Sequence, residues 1–128
     1  MLLISAIAVL TLVVGVGGWL GGLYLMVEKP PKRLNLVGLS HGAGGAAGFA
    51  LTVAALAVSP PGQHAVHMGA GAFGKIAGAL LAGALGAGIA ILSAQLRRRP
   101  VSNTIVAVHG LLAISGYTLL VTYLTMLY

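Results

Sequence analysis

The chain has 128 residues, of which 59% are apolar and only 6% charged, with a mean hydropathy of +1.04 and a formal charge of +6. That composition lies outside the range of soluble domains and excludes a water-soluble core. Cysteine is absent, which excludes disulfides, thiolate metal sites, iron–sulfur clusters and covalently attached c-type haem, so any redox centre has nitrogen or oxygen ligands.

The first apolar segment runs from Leu2 to Val27. Met1-Leu2-Leu3-Ile4-Ser5 carries no basic n-region, and the apolar run outlasts a signal-peptide h-region and ends at a basic stop, so a retained helix is expected. Gly17 to Gly21 and Gly18 to Gly22 are spaced for close helix packing. Trp19 is deep enough to pack, and Tyr24 falls near an interface. The turn Glu28-Lys29-Pro30-Pro31-Lys32-Arg33 follows, in which Glu28, the only acid of the chain, is expected to pair with Lys29 or Lys32.

The second segment, Leu36 to Val58, opens behind Asn35, a predicted N-cap. The connection Ser59-Pro60-Pro61-Gly62-Gln63-His64 contains no Lys or Arg. His64 and His67, three residues apart beside Met68, form a weak alternative metal site; without a third nitrogen or a carboxylate nearby, solvated turn histidines are the default reading. In the third segment, Gly69 to Leu96, Ala70, Gly74, Gly78, Ala82 and Gly86 make a small-residue stripe, and Lys75 is placed to snorkel to the headgroups. After the basic turn Arg97-Arg98-Arg99-Pro100, the fourth segment spans Ser102 to Leu127 with Asn103 as predicted N-cap. Tyr117 is expected to pack, whereas Tyr123 and Tyr128 are expected in the interfacial belt.

Each segment approaches the ~20 residues that cross a ~30 Å hydrocarbon core. None alternates polar with apolar, and open sheets leave backbone groups unpaired in lipid. The predicted fold is therefore an all-α integral membrane protein, a single transmembrane domain over residues 1–128 with four spanning helices. The positive-inside rule puts turns 28–33 and 97–100 in the cytoplasm and both termini on the outer, periplasmic side, a pattern compatible with a bacterial inner membrane. Six of the seven basic residues occupy those two turns, so topology accounts for the charge and nucleic acid is not an expected partner.

The second and fourth segments repeat one another. Asn35-Leu36-Val37-Gly38-Leu39-Ser40-His41-Gly42 matches Asn103-Thr104-Ile105-Val106-Ala107-Val108-His109-Gly110 at a distance of 68 positions, and Gly48-Phe49-Ala50-Leu51-Thr52-Val53 continues against Gly116-Tyr117-Thr118-Leu119-Leu120-Val121. In the same register Gly15 and Gly18 fall on Gly83 and Gly86. The expected architecture is two tandem helical hairpins, repeat 1 over about residues 1–58 and repeat 2 over about 69–128, related by a pseudo-twofold axis along the membrane normal. The histidine-bearing helices then face each other with His41 and His109 at equal depth.

Along a 3.6-residue period Gly38, His41, Gly45 and Gly48 share one helix face, and Val106, His109, Ala113 and Gly116 share its counterpart. A flat porphyrin between helices needs an imidazole from each side and small residues where its ring meets backbone. In these residues the chain resembles the general pattern of bis-histidine b-type membrane cytochromes. The resemblance implies one haem b per chain, with His41 and His109 as axial ligands of the iron and Gly45, Gly48 and Gly116 against the ring. It also places the propionates within reach of Lys32, Arg33 or Arg99.

No nucleophile–base–acid set, phosphate loop or carboxylate pair exists, so an independent enzyme is not expected. The leading function is an electron-transfer subunit or partner of a larger respiratory or dehydrogenase complex in the lipid bilayer, exchanging electrons with quinone. The alternatives are a cofactor-free accessory subunit, packed in a larger complex or homo-oligomer with its histidines as interhelical polar contacts, and a small transporter or channel. No acid lies in any span to serve a proton pump.

Overall fold

The computed structural model describes residues 1–26, 34–58, 62–67 and 69–127, at 34 and 35 the backbone alone. The elements are α1 (Leu2–Met26), α2 (Leu34–Val58), α3 (Gln63–His67), α4 (Ala70–Leu96) and α5 (Asn103–Leu127). All are helical, and four are long and apolar enough to cross a membrane, with mean hydropathy between 1.4 and 2.3. At 1.5 Å per residue, 25 residues cover about 37 Å, which exceeds the hydrocarbon thickness. The prolines fall outside these four helices, so none interrupts the i to i−4 ladder in a span. The basic turn 28–33 with the Glu28 pairing, the Asn35 cap and Tyr128 lie outside the described residues or side chains.

The four long helices form a ring in which α1 lies against α2 and α5, and α4 against α5 and α2. α2 and α5, which carry His41 and His109, therefore stand across a diagonal. The middle connection, expected as a plain turn, contains the short helix α3. Gly69 joins it to α4 with φ 82°, a left-handed conformation that glycine adopts without a Cβ clash. Its N–H donates to the Val66 carbonyl at 2.9 Å, and its own carbonyl accepts from Ala72 at 3.0 Å.

Lipid is as apolar as the side chains, so close van der Waals fit and interhelical hydrogen bonds hold such helices together. Gly48 accepts Leu10 of α1, and Gly116 accepts the Leu81 side chain and approaches its backbone nitrogen. Tyr117 Oη donates to Thr11 Oγ1 at 2.8 Å, since the Thr11 proton is already given to the Ile7 carbonyl, and this pair ties α5 to α1.

Among the described residues, every buried one lies toward one end of the bundle. They are Leu3, Ala6 and Leu10 in α1, Gly48, Thr52 and Ala55 in α2, Ala65 in α3, Ala70 to Ala84 at intervals in α4, and Gly116, Leu120 and Tyr123 in α5. Beyond Ala84, the part of the bundle that ends at the 97–100 turn has no buried residue among those described.

Three sequence-based expectations change. Tyr123, expected in the interfacial belt, is 2% exposed and belongs to the core, whereas Trp19, expected to pack, is 56% exposed on the outer surface. Asn103 is the first helical residue of α5, and its predicted capping role falls to Ser102, whose hydroxyl accepts the Thr104 N–H at 3.2 Å. Tyr117, by contrast, does pack, and Lys75 is exposed.

Candidate functional site

His41 and His109 meet between the four helices at the boundary of the packed half. Their ring centroids are 5.9 Å apart and the ring planes are inclined at 81°. Both side chains are part-buried, and each is held by the preceding helix of its own hairpin. His41 Nδ1 lies 3.1 Å from the Val13 carbonyl oxygen of α1, and His109 Nδ1 lies 2.8 Å from the Ala84 carbonyl oxygen of α4. A carbonyl only accepts, so each Nδ1 carries the proton, and in the neutral ring each Nε2 keeps its lone pair.

A glycine stands at the same place in both contacts. A Cβ on Gly17 would fall 2.5 Å from His41 Cε1, and one on Gly88 would fall 3.2 Å from His109 Cε1. Helical side chains lean toward the N-terminus, so the residue at i+4 overhangs the carbonyl at i. Gly17 stands four residues after Val13, and Gly88 four after Ala84, so removal of a side chain at that position is what lets an imidazole reach the carbonyl.

These glycines and carbonyls are the part of the site that sequence reasoning missed. Val13 and Ala84, like Gly17 and Gly88, are 71 positions apart, against 68 for the two histidines. The register expected for the first and third segments, Gly15 on Gly83 and Gly18 on Gly86, is therefore not the one that the histidine contacts use. The available signal was a glycine on the neighbouring helix at histidine depth, but the helix-to-helix register needed to select it is not written in either helix alone.

The glycines predicted against a ring have other neighbours. Gly48 and Gly116 are filled by Leu10 and Leu81, and the nearest atom to a Cβ on Gly45 is a Val13 methyl at 3.8 Å. They bring α1 onto α2 and α4 onto α5, one to two helical turns further along the chain than the histidines. A groove of about 350 Å³ opens beside His41 between α1 and α2, walled by Leu12, Val13, Val16, Leu36 and Val37. Ser40, also on its wall, spends its hydroxyl on the Leu36 carbonyl at 3.0 Å.

His64 and His67 are exposed on α3, and no group of three potential metal ligands occurs among the described residues. Among the described residues, the structure does not group them with a third potential ligand.

Comparison with protein-family models, curated proteins and solved structures finds no match. The functional reading therefore rests on the geometry of the site.

Two neutral imidazoles with unprotonated Nε2 atoms are the donor type that a metal ion or haem iron takes. Two metal–nitrogen bonds of about 2 Å, extended to the ring centres, separate the centroids by roughly 6 Å. The observed 5.9 Å lies near that span and equally within the range of about 4.5–7 Å for direct edge contact between two rings. A Nδ1–H bound to a carbonyl is also the usual outer contact of a metal-bound histidine, fixing the tautomer and raising the basicity of the ligating nitrogen.

Proposed function

We propose that the chain is a small integral membrane b-type cytochrome in which His41 and His109 hold one haem. It would act as an electron-transfer subunit or partner of a respiratory or dehydrogenase complex that exchanges electrons with quinone. One observation carries the reading: two histidines from diagonal helices, each with its Nδ1 proton on a neighbouring carbonyl, place their rings 5.9 Å apart.

Bound haem b supplies a one-electron iron couple. The chain supplies the rest. Val13 and Ala84 orient the two imidazoles and hold the tautomer that leaves Nε2 free, while Gly17 and Gly88 admit the rings. The closed half around Leu10, Leu81, Leu120 and Tyr123 keeps water from the outward side of the site. Arg97, Arg98 and Arg99 lie at the end of α4 nearest the histidines, where positive charge favours the reduced state. The matching carbonyl and glycine pairs support two tandem hairpins, and the basic residues of the turns 28–33 and 97–100 assign those turns to the cytoplasmic side of a bacterial inner membrane and both termini to the periplasm.

The test is the visible spectrum of the purified protein, oxidised and dithionite-reduced, with a pyridine haemochrome assay. A sharp reduced α-band at about one b-type haem per chain is expected, and His41→Ala or His109→Ala each abolishes it. Colourless protein from cells with ample haem sinks the reading.

A second reading, a cofactor-free accessory subunit of a larger membrane complex, is favoured by the same two hydrogen bonds. A histidine that bonds across two helices already has a structural purpose, worth ~0.6 to 2 kcal/mol. It predicts a colourless chain that stays with its complex through purification and loses stability, not pigment, when either histidine is removed.

A further inference from the structure

The end of α4 is built in an unusual way. Arg99 N–H donates to the Ala94 carbonyl at 2.9 Å and Arg98 N–H to the Gln95 carbonyl at 3.0 Å, the pair of bonds that closes a Schellman motif. The residue after the cap in that motif takes a left-handed conformation and is usually glycine. Here it is Arg98, with φ 54°, the only non-glycine residue with positive φ among those described. A chain with 20 glycines nevertheless bears a guanidinium at the position where glycine costs least.

Two general explanations of terminal arginines do not reach this detail. Charge at a helix C-terminus requires a cation somewhere in the last turn, and membrane topology counts Lys and Arg anywhere in the loop. Neither requires a side chain on the residue with positive φ. Strain kept at one residue points instead to what its side chain does.

Arg97, Arg98 and Arg99 are all exposed, and among the described residues no carboxylate is present to pair with them. Their backbone N–H groups are consumed by Ser93, Gln95 and Ala94 carbonyls, so only the guanidinium groups remain to bind an anion. Guanidinium forks match the paired oxygens of a phosphate. The helices that this turn joins present exposed apolar side chains, Ile89 and Leu96 on α4 and Val108 and Leu111 on α5.

We infer that the Arg97–Arg99 turn binds the phosphodiester headgroup of an anionic phospholipid, with the acyl chains on the outer surface of the α4–α5 hairpin. This is independent of what His41 and His109 hold.

Native mass spectrometry of the full chain, released from detergent containing equal phosphatidylglycerol and phosphatidylcholine, tests the inference. Wild type retains phosphatidylglycerol in preference. Arg98→Gly lowers its retention about five-fold, as expected for one arginine at a membrane surface. Arg98→Gly also relieves the backbone, so its thermal stability in phosphatidylcholine alone stays equal or rises, which separates lost binding from lost folding. Equal retention of the two lipids by wild type, or unchanged phosphatidylglycerol retention in Arg98→Gly, overturns the site. Displacement by millimolar inorganic phosphate as readily as by intact lipid would replace the lipid assignment with a soluble phosphate site.

Discussion

Gly17→Ala places a methyl group 2.5 Å from His41 Cε1, with Nδ1 and Nε2 of the same ring at 3.3 Å. Ordinary contact begins about 1 Å farther out, so the imidazole must move by that amount. A displacement of that size takes Nδ1, now 3.1 Å from the Val13 carbonyl, beyond hydrogen-bond range. An interhelical hydrogen bond in a membrane contributes ~0.6 to 1.7 kcal/mol. Alanine offsets part of that loss, because it is a better helix former than glycine by up to ~1 kcal/mol. Gly15→Ala is the matched control, since nothing lies within 4 Å of its added carbon, and it should be neutral or stabilising. Gly17→Ala is therefore expected ~1 to 2 kcal/mol below Gly15→Ala. Unfolding by sodium dodecyl sulfate in mixed micelles, followed by helical circular dichroism, gives both values. Equal stabilities for the two variants would refute the argument that Gly17 makes room for the His41 contact. Gly88→Ala should fall between them, because its carbon meets His109 Cε1 at 3.2 Å, a distance that a shift of a few tenths of an ångström relieves.

On the proposed haem reading, His41→Ala and His109→Ala should each remove the reduced α-band, while His64→Ala and His67→Ala leave it unchanged; pigment lost only on changing the α3 histidines would move the proposed metal site to α3. Gly116→Ala drives a methyl group into Leu81, 2.9 Å from Cγ and 3.1 Å from the backbone nitrogen, so α4 and α5 must separate. A loss on the order of 1 to 3 kcal/mol in the same micelle titration is expected. Tyr117→Phe removes the 2.8 Å bond to Thr11 between α5 and α1 and should cost about 1 kcal/mol, with no further loss when Thr11→Val is added. Arg98→Gly should stabilise the chain in phosphatidylcholine by up to ~1 kcal/mol; a fall in stability would mean that the side chain, not the backbone, dominates at φ 54°.

Spans were legible because each residue meets lipid individually: a run of apolar side chains is favourable whatever its neighbours, and Pro30, Pro31, Pro60, Pro61 and Pro100 mark where runs end. His41 and His109 were legible as well, since a polar side chain repeated in two apolar segments stands out without any tertiary information. Which residues surround them was not. α1, α2, α4 and α5 are apolar on nearly every face, so no amphipathic stripe announces which side turns inward, and Trp19 and Tyr123 exchange the places expected of them. Contact between helices depends on their relative rotation and axial offset, which the connections and the closest-packing glycines set together. That offset pairs His41 with Val13 and Gly17, and His109 with Ala84 and Gly88, at a spacing of 71 that differs from the histidines' own 68. The sequence alone determined the apolar spans and the two imidazoles; only tertiary structure decided the carbonyls and glycines around them, because register belongs to pairs of helices and not to either one.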